Sequence, residues 1–297
     1  MRSNFSIVMP VFNRRDSVLD ALESIKNQNI KDQIEIIIID DSNDITSKII
    51  KEYIIKNKHL KIKYFKPKKR AGINKSRNLG IKNAVYDIIV FLDSDDQLLE
   101  GALEDISVAF QSNKDIVIYF GRIKKLKDNS RKFILSRNLP TVGDYVDYLK
   151  TFRKQGEVLP ALRNYAIKSQ EKLFDEDLWG FENLLYLRLL KNGGKYFRSK
   201  KVVRLYNNIN EDRLSASGLS KVQNRRDGYL RQLKENGKSF FFYSPINFLN
   251  TLIRIIVYNR LIKRSRKLFF YEILSILTFP LPKFFFRLVI KIFIKMQ

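Results

Sequence analysis

The stretch DIIVFLDSDDQ, residues 87–97, runs an uninterrupted apolar segment directly into three carboxylates. The apolar part, residues 88–92, is typical of a strand buried inside a parallel sheet. The acids that follow are Asp93, Asp95 and Asp96, and carboxylates so close together repel one another unless a cation neutralises them. The stretch therefore predicts a buried strand whose carboxyl end binds a positively charged group.

Strand and helix patterns alternate on both sides of this stretch. Apolar segments predict the strands, and segments with one apolar face predict helices between them, the first two capped by Asp16 and Asp44. The predicted strands are FSIVMPVF (5–12), IEIIIID (34–40), LKIKYF (60–65), DIIVFL (87–92) and DIVIYFG (115–121), and the helices cover about 18–25, 45–56, 73–83 and 102–110. This alternation favours an α/β layer fold with right-handed crossovers.

The pattern after residue 122 is less regular. Residues 124–172 show only a weak helix at GDYVDYLKTF (143–152), and then an amphipathic helix at FENLLYLRLLKNGG (181–194) and a strand at KYFRSKKVVRLY (195–206) follow. We therefore predict a domain over residues 1–237, with halves 1–122 and 123–237, and a separate tail over 238–297.

The composition of the 297 residues excludes several kinds of chemistry. There is no cysteine, and His59 is the only histidine, so a Ser-His-Asp triad or a histidine-rich metal site is hard to assemble and any metal would be bound by oxygen. The absence of cysteine and of a signal-peptide pattern at the N-terminus leads us to expect a cytoplasmic protein. The net charge of +25 indicates a polyanionic partner, namely nucleic acid, anionic lipid or phosphorylated substrates, although biased base composition also explains many scattered lysines.

The tail holds eleven basic residues against one acid, Glu272. Its charge-free runs are shorter than the roughly 20 apolar residues of a spanning helix. In KFFFRLVIKIFIKMQ, residues 283–297, cations recur every four residues along an otherwise apolar segment, at Lys283, Arg287, Lys291 and Lys295. This pattern favours a helix lying on the anionic inner face of a membrane, as does the basic cluster of Lys263, Arg264, Arg266 and Lys267. A core helix of a helical bundle is the alternative.

Acidic segments follow two of the predicted strands, DDSND (40–44) and DSDD (93–96). Ligands of open α/β sheets collect at the carboxyl ends of strands, and clustered carboxylates without thiols or histidines predict a hard cation, Mg²⁺ or Mn²⁺. Helix-capping turns are the alternative for both segments, and DDSND also weakly matches the phosphorylation site of a receiver domain, which would however need the acidic pair on the first strand.

Four motifs occur in a characteristic order: SIVMPVFNR, IIIIDDSND, RAGINKSRNLGI and DIIVFLDSDD. Together they resemble the family 2 glycosyltransferases, over residues 6–99 and again over 174–190. The resemblance implies a GT-A type, Rossmann-like nucleotide-diphospho-sugar transferase fold, a divalent metal ion and a nucleotide-sugar donor. By this resemblance, the donor-binding residues are Pro10, Asn13, Asp41, Arg70, Arg77, Asn78 and Asp93, and the metal ligand is Asp95.

The position of the catalytic base departs from the family pattern. The family has a Glu-Asp pair there, whereas this chain has Glu182 followed by Asn183, whose amide is a poor proton acceptor. Three interpretations stay open: Glu182 acts as the base, Asp177 reaches the site, or the enzyme is slow or inactive. We favour Glu182.

The resulting hypothesis is an inverting, metal-dependent glycosyltransferase that acts on a glycan or lipid-linked acceptor at the membrane surface. A donor-binding but non-catalytic relative is the main alternative, because of Asn183. A nucleic-acid-binding protein is less favoured, since acidic strand ends repel a phosphate backbone; we expect no nucleic acid partner.

Overall fold

The computed structural model describes residues 3–30, 33–125, 140–152, 156–207 and 219–263. The strands are β1 (Phe5–Val11), β2 (Ile34–Asp40), β3 (Lys61–Phe65), β4 (Ile88–Phe91), β5 (Gln97–Leu98), β6 (Ile116–Lys125), β7 (Val142–Gly143), β8 (Leu159–Arg163) and β9 (Lys195–Tyr206). The helices are α1 (Val18–Lys26), α2 (Thr46–Lys56), α3 (Ile73–Asn83), α4 (Ala102–Ser112), α5 (Tyr145–Thr151), α6 (Asn164–Lys168), α7 (Asn183–Lys191), α8 (Leu219–Tyr243) and α9 (Pro245–Lys263). The predicted α/β class is confirmed.

The described strands form one mixed sheet in the order β3-β2-β1-β4-β8-β6-β9-β5, with β7 beside β9. Strands β1, β2, β3 and β4 are mutually parallel, and Val11 of β1 lies opposite Asp40 of β2, while Val8 lies opposite Phe91 of β4. The carboxyl ends of β1, β2 and β4 therefore meet at one edge of the sheet.

The core of the parallel part explains why its strands are so apolar. Every residue of β1 and of β4 is buried, because helices cover both faces of the sheet. Helix α3 approaches β1 so closely that a Cβ on Gly80 would come within 2.3 Å of a methyl group of Val8. A glycine at this position thus allows α3 to lie directly on the strand.

Three of the described strands, β5, β7 and β8, were not predicted from the sequence. Strand β8 pairs antiparallel with both β4 and β6, so that it separates them, and it lies inside the stretch that periodicity left irregular. The sheet is therefore mixed beyond β4.

The two predicted helix caps differ in outcome. Asp16 is exposed and α1 begins after Ser17, so the prediction that Asp16 caps this helix is wrong. Asp44 accepts a hydrogen bond from the Thr46 amide at 2.9 Å just before α2.

The chain divides into two compact units, Met1–Leu214 with Ser239–Asn247, and Ser215–Lys238 with Phe248–Gln297. In the second unit, the Tyr229 and Tyr258 rings stack with their centroids 6.0 Å apart. Residue 237 lies within α8, and the predicted domain division stays a prediction. None of the described helices is both long and apolar enough to cross a bilayer. The predicted helix with its stripe of cations lies outside the described residues.

Candidate active site

Asp40 is the last residue of β2, and it organises the turn that follows. Its buried carboxylate accepts hydrogen bonds from the Ser42 amide at 2.8 Å and from the Tyr64 hydroxyl at 2.6 Å, and Ser47 is a third donor. Burial alone would raise the pKa of Asp40, but these hydrogen bonds outweigh it and lower the pKa. Asp40 is therefore a charged anchor for the turn.

Asp41 connects this turn to the start of α3. Its Oδ2 atom accepts hydrogen bonds from the backbone amides of Ala71, at 3.0 Å, and Gly72, at 2.8 Å. Gly72 has a φ of 79°, which favours glycine, and this backbone directs its amide at the carboxylate. The second oxygen, Oδ1, is buried and has no hydrogen-bond partner among the described residues. One oxygen of Asp41 is thus fixed by the start of α3, and the other has no hydrogen bond within the described part of the chain.

The loop after β1 lies beside Asp41. The guanidinium of Arg70 stacks on the ring of Phe12, 3.7 Å from its centroid. Asn13 has a φ of 50°; its amide donates to Ser42 Oγ at 2.9 Å, and its side-chain oxygen accepts from the Asn43 amide at 3.0 Å. Pro10 is buried within β1, paired with Ile39. The ends of β1 and β2 are therefore tied together around Asp41, with Phe12 and Arg70 at its border.

Arg77 joins the first half of the site to the second. Its Nη1 donates to Oε1 of Glu182 at 2.6 Å, and its Nη2 donates to Oδ1 of Asp93 at 3.2 Å. Burial alone would lower the pKa of Arg77, but Glu182 and Asp93 outweigh it and raise the pKa. The guanidinium is buried, whereas the two carboxylates are each 35% exposed and so remain accessible to a ligand.

The other two acids after β4 have different partners. Asp95 pairs with Nε of Arg14 at 3.2 Å, and the same guanidinium also donates to the Asn13 carbonyl. Asp96 is buried; it lies 3.2 Å from Nη1 of Arg204 and accepts a hydrogen bond from the Asn207 amide. Burial raises the pKa of Asp96, while Arg204 acts in the opposite direction. Asp96 therefore holds the acidic loop against the end of β9, and Asp93 and Asp95 face the site.

Asn78 lies within α3 and faces the segment before α7. Its side-chain amide donates to the Phe174 carbonyl at 2.9 Å and accepts from the Phe174 amide at 3.0 Å. Asn74, one turn earlier, donates to the carbonyls of Asp175 and Leu178. These contacts position α7 and thereby Glu182, and the predicted contact of Asn78 with the donor stays a prediction.

The side chains at this edge are partly suited to a divalent cation. Asp93 and Asp95 present carboxylate oxygens, the ligands that Mg²⁺ and Mn²⁺ prefer. In the structure Asp93 pairs with Arg77 and Asp95 pairs with Arg14. Within the described ranges no three acidic or histidine side chains converge closely enough to hold a metal on their own. Two carboxylates suffice only where a ligand such as a diphosphate and water complete the coordination.

Sequence reasoning missed three residues of this site, namely Phe12, Arg14 and Arg204. Phe12 and Arg14 belong to the motif SIVMPVFNR, and their place directly after a strand was an available indication. Arg204 lies in a strand far from the acidic loop in sequence, so no local pattern connected it to Asp96.

The fold is an α/β fold of the GT-A type, with acidic loops at the carboxyl ends of parallel strands. The model of the family described as glycosyl transferase family 2 matches residues 6–167, which is more than half of the chain. The chain therefore belongs to glycosyl transferase family 2, and it is a glycosyltransferase. The family resemblance and the GT-A fold are confirmed.

Named relatives agree with this assignment. The GalNAc(5)-diNAcBac-PP-undecaprenol beta-1,3-glucosyltransferase of Campylobacter jejuni is 29% identical over 77% of this chain and 72% of its own length. The minor teichoic acid biosynthesis protein GgaB of Bacillus subtilis is 31% identical over 85% of this chain, which spans only 27% of GgaB. The crystal structure of S. aureus TarS 1-349 in complex with UDP-GlcNAc has a TM-score of 0.65 at 18% identity, covering 86% of this chain and 79% of that one. At that identity the likeness to TarS concerns the fold.

Proposed function

We propose that this enzyme transfers a sugar from a nucleoside-diphosphate donor to a hydroxyl group of a glycan or lipid-linked acceptor, with inversion. The observation that carries the proposal is the meeting of Asp41, Asp93 and Asp95 at one edge of the sheet, with Arg77 joining this edge to Glu182. The named relatives support it, since one acts on an undecaprenol-linked glycan and TarS binds UDP-GlcNAc.

Asp41 and Phe12 would bind the nucleotide base. The buried Oδ1 of Asp41 needs an N–H donor, and the imide of uracil provides one. Phe12 offers an aromatic face on which a base would stack. In the structure the guanidinium of Arg70 lies on this face. Pro10 and Asn13 shape this end of the pocket, and Arg77 would face the sugar and diphosphate beside Asp93.

Asp95, with Asp93, would hold a divalent ion. When bound, such an ion neutralises the negative charge that develops on the leaving diphosphate. Arg14 lies at the same carboxylate and provides a second positive charge near the leaving group.

Glu182 would act as the base. Its Oε1 is fixed by Arg77, and no hydrogen bond to its Oε2 occurs within the described part of the chain. That oxygen can accept the proton of an attacking hydroxyl, and a single displacement on the side opposite the leaving group inverts the anomeric carbon. Asn183 begins α7 and its amide is unsuited to this role. Asp177, the alternative base, is exposed.

The basic tail would hold the enzyme on the cytoplasmic face of a membrane, where a lipid-linked acceptor is presented. The net charge of +25 fits this location and also fits a diphosphate donor.

A panel of nucleotide sugars, scored by thermal shift with Mn²⁺ and again with a chelator, tests the donor and the metal together. We expect uridine-diphosphate sugars to stabilise the protein most, and Mn²⁺ to increase the shift. The absence of any shift across the panel would contradict the proposal. Donor binding without any transfer to lipid-linked acceptors would instead favour the non-catalytic relative that Asn183 raises as an alternative.

A further inference from the structure

The junction of α8 and α9 exposes a small apolar surface. Phe242 is 74% exposed and Ile246 is 73% exposed, and Tyr243 between them is also exposed. We call these three residues the apolar corner. Large apolar side chains grouped in this way at the surface are costly in water and mark places where proteins bind one another or a membrane.

The apolar corner is held firmly on the unit that contains the candidate active site. Phe240, which is fully buried, packs edge-on against Phe152 with the ring centroids 5.2 Å apart. Asn247 donates to the carbonyl of Leu149 at 2.9 Å and to Ser244 Oγ at 2.7 Å. Buried residues on both sides of the exposed ones fix this junction, so its apolar side chains are displayed by a rigid support.

The sequence that flanks the corner is suited to an anionic surface. Lys234 and Lys238 are exposed and precede Phe242 by eight and four residues in the chain. From residue 236 to residue 271 the sequence has no acidic residue at all. Aromatic residues that follow lysines in a segment without acids are typical of segments at the boundary of lipid headgroups and acyl chains.

The corner also lies on the acceptor side of the enzyme. Phe152 contacts Tyr148, Tyr148 stacks on Phe120, and Phe120 contacts Tyr186 of α7, the helix that Glu182 precedes. This aromatic series begins at Phe240, two residues before the corner, and ends at α7. A surface bound at the corner would therefore have a defined position relative to the candidate base.

We propose that Phe242, Tyr243 and Ile246 insert into the surface of an anionic bilayer, and that this contact orients the site toward a lipid-linked acceptor. The lipid contact specifies the membrane binding proposed above for residues 238–297, and the orientation rests on the proposed transferase function. The tail beyond residue 263 would add electrostatic attraction, and the corner would supply the apolar anchor.

Sedimentation of the full chain with vesicles of phosphatidylcholine containing about 30% phosphatidylglycerol tests the contact. Replacing both Phe242→Ser and Ile246→Ser should weaken binding at least about tenfold, because two exposed apolar side chains no longer enter the bilayer. The matched control is Ile55→Ser with Val108→Ser, which removes side chains that are 65% and 61% exposed on α2 and α4. The control should bind as the unchanged chain does.

Equal binding by both double variants and the unchanged chain would overturn the proposal, as would an unchanged chain that binds no vesicles. A monodisperse dimer that the corner substitutions dissociate, without vesicle binding, would show that a second copy covers the corner.

Tryptophan fluorescence of a Phe242→Trp variant measures insertion directly. Its emission should shift to the blue when vesicles are added, by more than any change from Trp179, whereas the emission of an Ile55→Trp variant should not shift. Donor-induced thermal shifts should be the same in all these variants, so failure of the lipid contact is distinguishable from failure of the proposed transferase activity.

Discussion

The guanidinium of Arg77 donates a hydrogen bond to Glu182 over 2.6 Å, although the two residues are 105 positions apart in the chain. The bond joins α3, which begins beside Asp41, to the start of α7. Two sides of the candidate site, the acidic loop with Asp93 and the start of α7 with Glu182, are therefore connected through one buried cation.

Glu182→Gln tests the proposed base. The amide retains the shape but cannot take a proton, so we expect transfer to fall by about 10²–10⁴-fold while the donor-induced thermal shift persists. Glu171→Gln, at an exposed position outside the site, is the control. Transfer within about threefold of the unchanged enzyme would remove Glu182 from this role and direct attention to Asp177.

Arg77→Met tests the connection between the two sides. The substitution leaves the carboxylates of Glu182 and Asp93 without their shared partner, and we expect the free energy of unfolding to fall by about 1–3 kcal/mol. Transfer should fall by at least about tenfold, because Glu182 loses its fixed position. Urea unfolding and transfer assays measure both effects, with the exposed Arg15→Met as control. An unchanged free energy of unfolding would mean that the ion pairs of Arg77 with Glu182 and Asp93 do not stabilise the packing of α3 against α7.

Asp41→Asn tests recognition of the base. The amide no longer provides a charged acceptor, so we expect affinity for UDP to fall by about tenfold or more. The unchanged enzyme should also prefer UDP to CDP, because the ring nitrogen of uracil donates a hydrogen bond where that of cytosine accepts one. Calorimetric titration of both nucleotides checks this, and equal affinity for UDP and CDP would argue against the assigned contact.

Asp95→Asn tests the metal. If Asp95 is the main ligand, the difference between the UDP-induced thermal shifts with Mn²⁺ and with chelator should disappear in the variant. Asp20→Asn, which alters an exposed acid on α1, should retain the full difference. Retention of the metal effect by Asp95→Asn would assign the ion to other ligands.

Asp40→Asn tests the turn after β2 through its dependence on pH. The folded protein holds the pKa of Asp40 below its ordinary value of 3.8, so the charged side chain stabilises the fold above that value and loses this effect as the pH falls below it. We expect the variant to be about 1–3 kcal/mol less stable near pH 7, and the difference to shrink toward about pH 3. Urea unfolding at both pH values checks this, and a difference independent of pH would exclude a charged Asp40 as its source.

The parallel half of the fold could be predicted because its information is local. Strands β1, β2 and β4 are buried on both faces, and burial demands the continuous apolar runs that the sequence shows. Strand β8 could not be predicted in the same way: LPALR is short and contains a proline, and it forms a strand because β4 and β6 pair with it from both sides.

The same distinction between local and long-range information applies to the candidate site. The sequence by itself determined that acids stand at the ends of β2 and β4, because the motifs that place them are continuous in the chain. Only the tertiary structure decided which cation each acid meets: Arg14 reaches Asp95 across 81 positions, and Arg204 reaches Asp96 from β9. Such partners are chosen by which strand ends and helices pack together, and that depends on contacts distant in sequence, which no local pattern of residues records.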